Sequence, residues 1–186
     1  MSGRLFVISG PSGAGKGTLV SRLMSCRDGL WLSVSATTRS PRPGEVEGQS
    51  YFFLDNDRFD QLVAEGGFLE WANVFTNRYG TLKSVVESKI ESGTSVVLEI
   101  DPQGARQVKQ NYPDAFLIFV KPPSFEVLEQ RLRGRATESE EQVQIRLQTA
   151  RTEMQQEGHY DVTIVNDDLE TAVQQLLEVV DSQIAR

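Results

Sequence analysis

Thiols and imidazoles are nearly absent from this chain: its 186 residues include one cysteine, Cys26, and one histidine, His159. A lone cysteine cannot close an internal disulfide, which suits a reducing compartment. Cys26 falls in a stretch of helical spacing and is expected to be a small apolar filler. No cluster of metal-ligating side chains surrounds His159, which is expected at a surface or helix end without a catalytic role. Long apolar runs are missing too. None approaches the ~20 residues that a membrane-crossing helix needs. No secretory leader precedes the strand-like residues that begin at position 4, so the expected setting is the cytoplasm. Positive charge is in deficit: 19 Lys and Arg against 26 Asp and Glu leave a formal net charge of −7. That balance argues against nucleic acid or a membrane surface as partner, so any anionic ligand must be met by locally concentrated cations. Internal repeats and low-complexity tracts are also absent, and the sequence leaves oligomeric state open.

What is present is ordinary for a soluble domain: 39% hydrophobic and 24% charged residues, in a chain long enough to bury a real core. Five short apolar runs read as strands: Leu5–Ser9, Trp31–Ala36, Ser95–Asp101, Phe116–Lys121 and Val162–Val165. Most are near-continuous, as parallel strands covered by helices on both faces should be. Helical spacing marks Lys16–Cys26, a segment capped by Asp55 and running to Ala64, Phe125–Leu132 capped by Ser124, Glu138–Gln156, and Leu169–Ile184. This alternation predicts an α/β fold with a doubly wound, parallel five-stranded sheet flanked by helices. Two stretches stand apart from that core. Residues 37–86, rich in Arg, Pro, Gly, Tyr and Phe, read as a small insert with a possible strand at Tyr51–Leu54. Residues 133–150, arginine-bearing and weakly apolar, read as a mobile flap, leaving 1–36, 87–132 and 151–186 as the core.

Between the first apolar run and the first helix lies Gly10-Pro11-Ser12-Gly13-Ala14-Gly15-Lys16-Gly17-Thr18. Small residues let such a loop fold tightly enough to aim successive N–H groups at one anion. The helix that follows adds its positive end, and Lys16 adds a full charge. A nucleoside triphosphate is the implied ligand. The phosphate-loop pattern expects Ser or Thr directly after the lysine; here Gly17 takes that place and the hydroxyl comes at Thr18. The run ending in Glu99 and Asp101 can orient a magnesium ion through water, and residues two apart on a strand share one face. Arg39 and Arg42, set among Pro41 and Pro43, offer guanidinium forks suited to a phosphate dianion, to which Tyr51 and Tyr79 could add hydroxyl donors. By spacing alone, Glu70 beside Trp71 reads as the end of an amphipathic helix.

Taken together, Ser9–Lys16, Ser33–Arg39, Pro41–Glu45 and Gly48 with Tyr51 resemble the guanylate kinases. So do Phe68–Ala72, Tyr79–Thr81, Asp101–Gly104 and Val165–Asp168, in order and from about residue 4 to the C-terminus. The resemblance implies a P-loop fold with a GMP-binding insert and a lid. It also implies magnesium-dependent transfer of the γ-phosphoryl group of ATP to GMP, with dGMP as a second acceptor. On the matching positions, Arg39, Arg42, Tyr51 and Tyr79 would clamp the GMP phosphate. Glu70 would read guanine, whose N1–H and N2–H donors suit an acceptor-only carboxylate. Ser35 and Thr81 would complete that edge, with Asp101 either at the base or, like Thr18, in the magnesium shell. Arg131, Arg135 and Arg146 match lid arginines that bridge the phosphates, whereas Arg133 reads as a solvated neighbour. Asn166 matches the loop that lies against adenine. Gly17 resembles a variant found in other nucleoside monophosphate kinases. Two alternatives stand beside this reading: a catalytically silent interaction scaffold, and a P-loop kinase for another acceptor such as AMP or a ribose bisphosphate.

Overall fold

In the computed structural model, which describes residues 2–134 and 139–185, the chain starts with β1 (Leu5–Ser9), buried along its whole length. Then come α1 (Lys16–Cys26), β2 (Leu30–Leu32), β3 (Ala36–Thr37), β4 (Phe52–Phe53), α2 (Asn56–Ala64), β5 (Phe68–Val74), β6 (Asn77–Leu82) and α3 (Lys83–Glu91). The remainder is β7 (Ser95–Glu99), α4 (Pro102–Asn111), β8 (Phe116–Lys121), α5 (Phe125–Arg133), α6 (Glu140–Met154), β9 (Val162–Val165) and α7 (Leu169–Ile184). Strands β2-β7-β1-β8-β9 form an all-parallel sheet. Its apolar runs explain its two covers, because successive side chains on a strand point to opposite faces. Phe6 and Ile8 pack with α1 and α7 through Leu19, Leu23, Val173 and Leu176. Leu5 and Val7 pack on the other face with Val86 and Ile90 of α3 and Ala105 and Val108 of α4. Each Val, Leu, Ile or Phe among them, once buried, contributes about 1.5–3 kcal/mol. This is the fold expected from the sequence.

A second, four-stranded sheet in the order β4-β3-β6-β5 occupies the insert. Here the strand expected over Trp31–Ala36 proves to be two. Ser33 N–H donates the last bond to the large sheet, at Val97 O (2.9 Å), and by Ser35 the chain pairs instead with the insert, accepting from Phe52 N–H (2.9 Å). The possible strand at Tyr51–Leu54 is β4, parallel to β3. Helix α2 covers this sheet through Phe59, which packs on Phe68 at 4.4 Å between ring centroids. Asp55 caps α2 by accepting from Arg58 N–H (2.7 Å). Glu70 lies on β5, in a hairpin with β6, and not at a helix end. Helices α3 and α4 are absent from those the apolar spacing picks out. Asp101 followed by Pro102 is nonetheless a helix-start pair, and Asp101 caps α4.

Ser124 caps α5 (Val127 N–H to Oγ, 3.3 Å), and a capping box at Ser139 and Gln142 starts α6 two residues later than the spacing predicts. The two helices share a small core of Leu128, Leu132, Val143, Leu147 and Ala150. Cys26 is exposed at the end of α1, so it fills no core position. His159 is exposed at the end of a single 3₁₀ turn (Glu157–His159).

Candidate functional site

The loop after β1 needs two of its glycines for space as well as for conformation. A Cβ on Gly10 (φ 143°) would lie 2.0 Å from Val120 O, and one on Gly15 (φ 89°) 2.4 Å from Asn166 Nδ2. The loop therefore rests directly on β8 and on the residue that follows β9. Asn166, buried, donates from Nδ2 to Ala14 O (2.8 Å), and its own carbonyl accepts from Arg131 (2.9 Å). Lys16 folds back, donating to Gly10 O (2.6 Å) and Pro11 O (3.1 Å). Burial pushes the Lys16 ammonium down in pKa, opposed by the fields of Glu153, Glu99 and Asp101.

Helix α6 reaches the same loop. Ser12 N–H donates to Glu153 Oε2 (3.2 Å), and Arg146 donates to Ser12 Oγ (2.7 Å). Burial pushes Glu153 up in pKa, and the Ser12 N–H bond and Lys16 pull it back. A cavity of about 230 Å³ opens between Ser12, Gly13, the Gly15–Thr18 turn and Glu99. Gly17 and Thr18 are exposed on its rim, and a Cβ on Gly17 would sit 3.4 Å from Glu99 Oε1. The shared strand face expected for Glu99 and Asp101 is not found. β7 stops at Glu99, which turns to the loop, whereas Asp101 caps α4 through Oδ1 to Gly104 N–H (2.7 Å). Thr18 and Glu99 bring oxygen donors to this cavity, which suits a hard divalent ion that keeps most of its waters, while the Asp101 carboxylate is engaged at the start of α4.

The insert gathers a second group. Arg39 donates through one nitrogen to both oxygens of Glu45 (2.7 and 3.0 Å) and through another to Ser40 O (2.9 Å). The Glu45 carboxylate and then the Tyr79 side chain hold the Arg39 guanidinium well above its usual pKa. The guanidinium lies 5.3 Å from the Tyr51 ring centroid, and the Tyr51 and Tyr79 rings are 5.9 Å apart. Arg42 is exposed, its N–H bonded to Glu45 Oε2 (2.8 Å).

Deeper in, Glu70 is 8% exposed and accepts from Thr81 Oγ1 at 2.6 Å. Burial pushes its pKa up, the Thr81 bond pulls it down, and Asp101 adds to the rise. A Cβ on Gly104 would fall 3.3 Å from Glu70 Oε2 and 3.5 Å from Asp101 Oδ1, so the two carboxylates flank one helix start. Ser35, half-buried, immediately precedes β3. Asp101 thus lies in the field of both Lys16 and Glu70, linking the two groups.

The structure therefore gathers Lys16, Arg131, Arg146 and Asn166 at the loop, and Arg39, Tyr51 and Tyr79 in the insert. Arg135 lies outside the described residues. Arg133 pairs with Glu129 (2.8 Å) and Glu140 (2.6 Å), so it is engaged in ion pairs, not merely solvated. Sequence reasoning missed Glu153, which nothing in the spacing of α6 distinguishes. It also assigned no part to Glu45, although Glu45 closes the Pro41–Glu45 segment.

A family profile described as guanylate kinase matches residues 2–183. A guanylate kinase of Synechococcus sp. (strain CC9902) is 54% identical over 175 residues, covering 94% of each chain. That of Thermobifida fusca (strain YX) is 52% identical over 177 residues, covering 95% of this chain and 90% of the relative. Among solved structures, guanylate kinase from Anaplasma phagocytophilum superposes with a TM-score of 0.74 at 32% identity, covering all of this chain and 88% of that one.

Proposed function

The chain belongs to the guanylate kinase family, and from that premise we propose that it transfers the γ-phosphoryl group of ATP to GMP, and to dGMP, with Glu70 as the reader of guanine. The observation that carries the reading is the buried Glu70 carboxylate, held by Thr81 and flanking the start of α4 together with Asp101. Guanine offers adjacent N1–H and N2–H donors. Adenine offers a lone pair at N1, which a carboxylate repels. The AMP alternative is disfavoured on that ground.

In the reaction a GMP phosphate oxygen attacks the γ-phosphorus, and the bond to the β,γ-bridging oxygen breaks, leaving GDP and ADP. Such transfer needs alignment and charge stabilisation more than covalent help. On ATP binding, Lys16 exchanges the Gly10 and Pro11 carbonyls for phosphate oxygens, with the loop N–H groups of Gly10–Thr18 around them. Asn166 supports the loop beside the adenine side. Arg39 exchanges Glu45 for the GMP phosphate, with Arg42, Tyr51 and Tyr79 as further donors and Ser35 beside the base. Arg131, Arg135 and Arg146 bridge the phosphates from the lid, whose closure excludes water. Thr18, Glu99 and Asp101 would hold a magnesium ion, directly or through water. When bound, that ion supplies neutralisation of phosphate charge.

No helix among the described residues is long and apolar enough to cross a membrane, and we assign the reaction to the cytoplasm. A coupled assay of ATP with GMP, AMP, CMP and UMP tests the reading. GMP should exceed each other acceptor by at least about 10²-fold in kcat/KM; comparable turnover of AMP refutes it.

A further inference from the structure

β5 is the terminal strand of the insert sheet, so one of its edges has no strand beside it. Its pairing with β6 is also interrupted where Glu70 sits: Phe68 pairs with Leu82 and Glu70 with Thr81, leaving a bulge at Leu69. Bulges re-aim side chains, and a strand edge held only on one side is free to twist. On this strand the open edge is held by a helix. The Gln107 side chain of α4 accepts from Trp71 N–H (3.1 Å) and donates to Trp71 O (3.1 Å), as a neighbouring strand's peptide group would. One turn on, Asn111 Nδ2 donates to Leu69 O (2.9 Å). The backbone is thus pinned on both sides of Glu70. Gly104 lies on the same helical face, and its missing side chain leaves the room that Glu70 Oε2 occupies.

We propose that the Gly104–Gln107–Asn111 face of α4 positions the Glu70 carboxylate for guanine, with Gln107 the principal positioning residue. This rests on Glu70 as the base reader. Gln107 touches no substrate in this scheme. It acts by fixing the strand that carries the reader, and α4 is a suitable support because Asp101 anchors its first turn at the end of β7, the strand beside β1. Guanine selection is thereby referenced to the strands that carry the phosphate loop.

The test is the ratio of kcat/KM for GMP to that for IMP, which keeps N1–H and lacks the 2-amino group. In Gln107→Leu the ratio should fall by about tenfold, since misplacing a reactive or recognition group by a fraction of an ångström is costly, while the KM for ATP stays within about twofold. A role confined to folding lowers both acceptors alike and leaves the ratio in place, and that result overturns the proposal. Should Gln107→Leu not fold, the near-isosteric Gln107→Glu decides. It can accept from Trp71 N–H but sets a carboxylate against Trp71 O, so the ratio should again fall, and an unchanged ratio overturns the proposal. Glu70→Gln runs in parallel. If it leaves the ratio intact, the base-reader assignment fails and the positioning role with it. If it collapses the ratio while Gln107→Leu does not, only the positioning role fails.

Discussion

Replacing Glu70 by glutamine should weaken GMP turnover and stabilise the protein at neutral pH. The carboxylate sits 8% exposed with one oxygen already bonded to Thr81. In the amide one of the two acceptor positions becomes an N–H donor, whichever way the group is flipped. One charge-assisted bond to guanine is lost, about 1.5–3 kcal/mol, and a guanine donor is left facing another donor, about 1–3 kcal/mol. A middle value of about 4 kcal/mol corresponds to a loss on the order of a thousandfold in kcat/KM for GMP.

The stability effect has the opposite sign. Burial raises the folded-state pKa of Glu70 above its unfolded value, so at pH above both values the folded protein carries the desolvation penalty of the charge. That penalty disappears as the pH falls through the raised pKa. Glu70→Gln should therefore melt higher than wild type at pH 8, and the advantage should shrink towards pH about 4.5. Each kcal/mol gained is worth roughly 2–4 °C in a chain of this length. Steady-state kinetics with GMP and ATP and thermal melts at both pH values read the two effects. A GMP efficiency within about fivefold of wild type, or a melting advantage that grows on acidification, would refute the reasoning.

Lys16→Met should lower kcat by about a thousandfold or more while far-ultraviolet circular dichroism stays unchanged, because among the described residues the lysine side chain bonds to carbonyls of its own loop. Arg39→Leu should raise the KM for GMP by about tenfold or more and leave the KM for ATP in place, as initial rates at varied substrate will show. Leu132→Ala opens a void in the core shared by α5 and α6 and should cost about 2–5 kcal/mol in urea-induced unfolding; a smaller loss would mean the site collapses around the gap.

The phosphate loop was legible because its chemistry is contiguous: glycines, a lysine and the strand before them lie within one short segment. The large sheet was legible for a similar reason, since a strand buried on both faces writes itself as an apolar run. The setting of Glu70 was not. Its hairpin turns at Phe75 and Thr76, with Phe75 at φ 54° and fully exposed, in place of the Asn-Gly pair that announces such a turn. Without that signal, β5 and β6 left no clear period. The partners of Glu70 come from β6 and α4, and Glu153 reaches Ser12 across 141 residues of sequence. Contacts of that separation are made by tertiary packing, and no local pattern encodes them. Cys26 departs from its expected place for a simpler reason: helical spacing reveals a period, and a residue at the last position of a helix can leave the covered face.

On the proposed assignment of Arg39 to the GMP phosphate, its pairing with Glu45 amounts to a condition of entry. A carboxylate six positions along the chain competes with any arriving anion at an effective concentration of order millimolar or higher. A phosphate dianion can displace it, offering the guanidinium more charge and more acceptor oxygens. A nucleoside without phosphate has nothing to exchange and leaves the tether closed. On the proposed reading, the insert sorts visitors by charge at one end and by base at the other, and a molecule must satisfy both to be held.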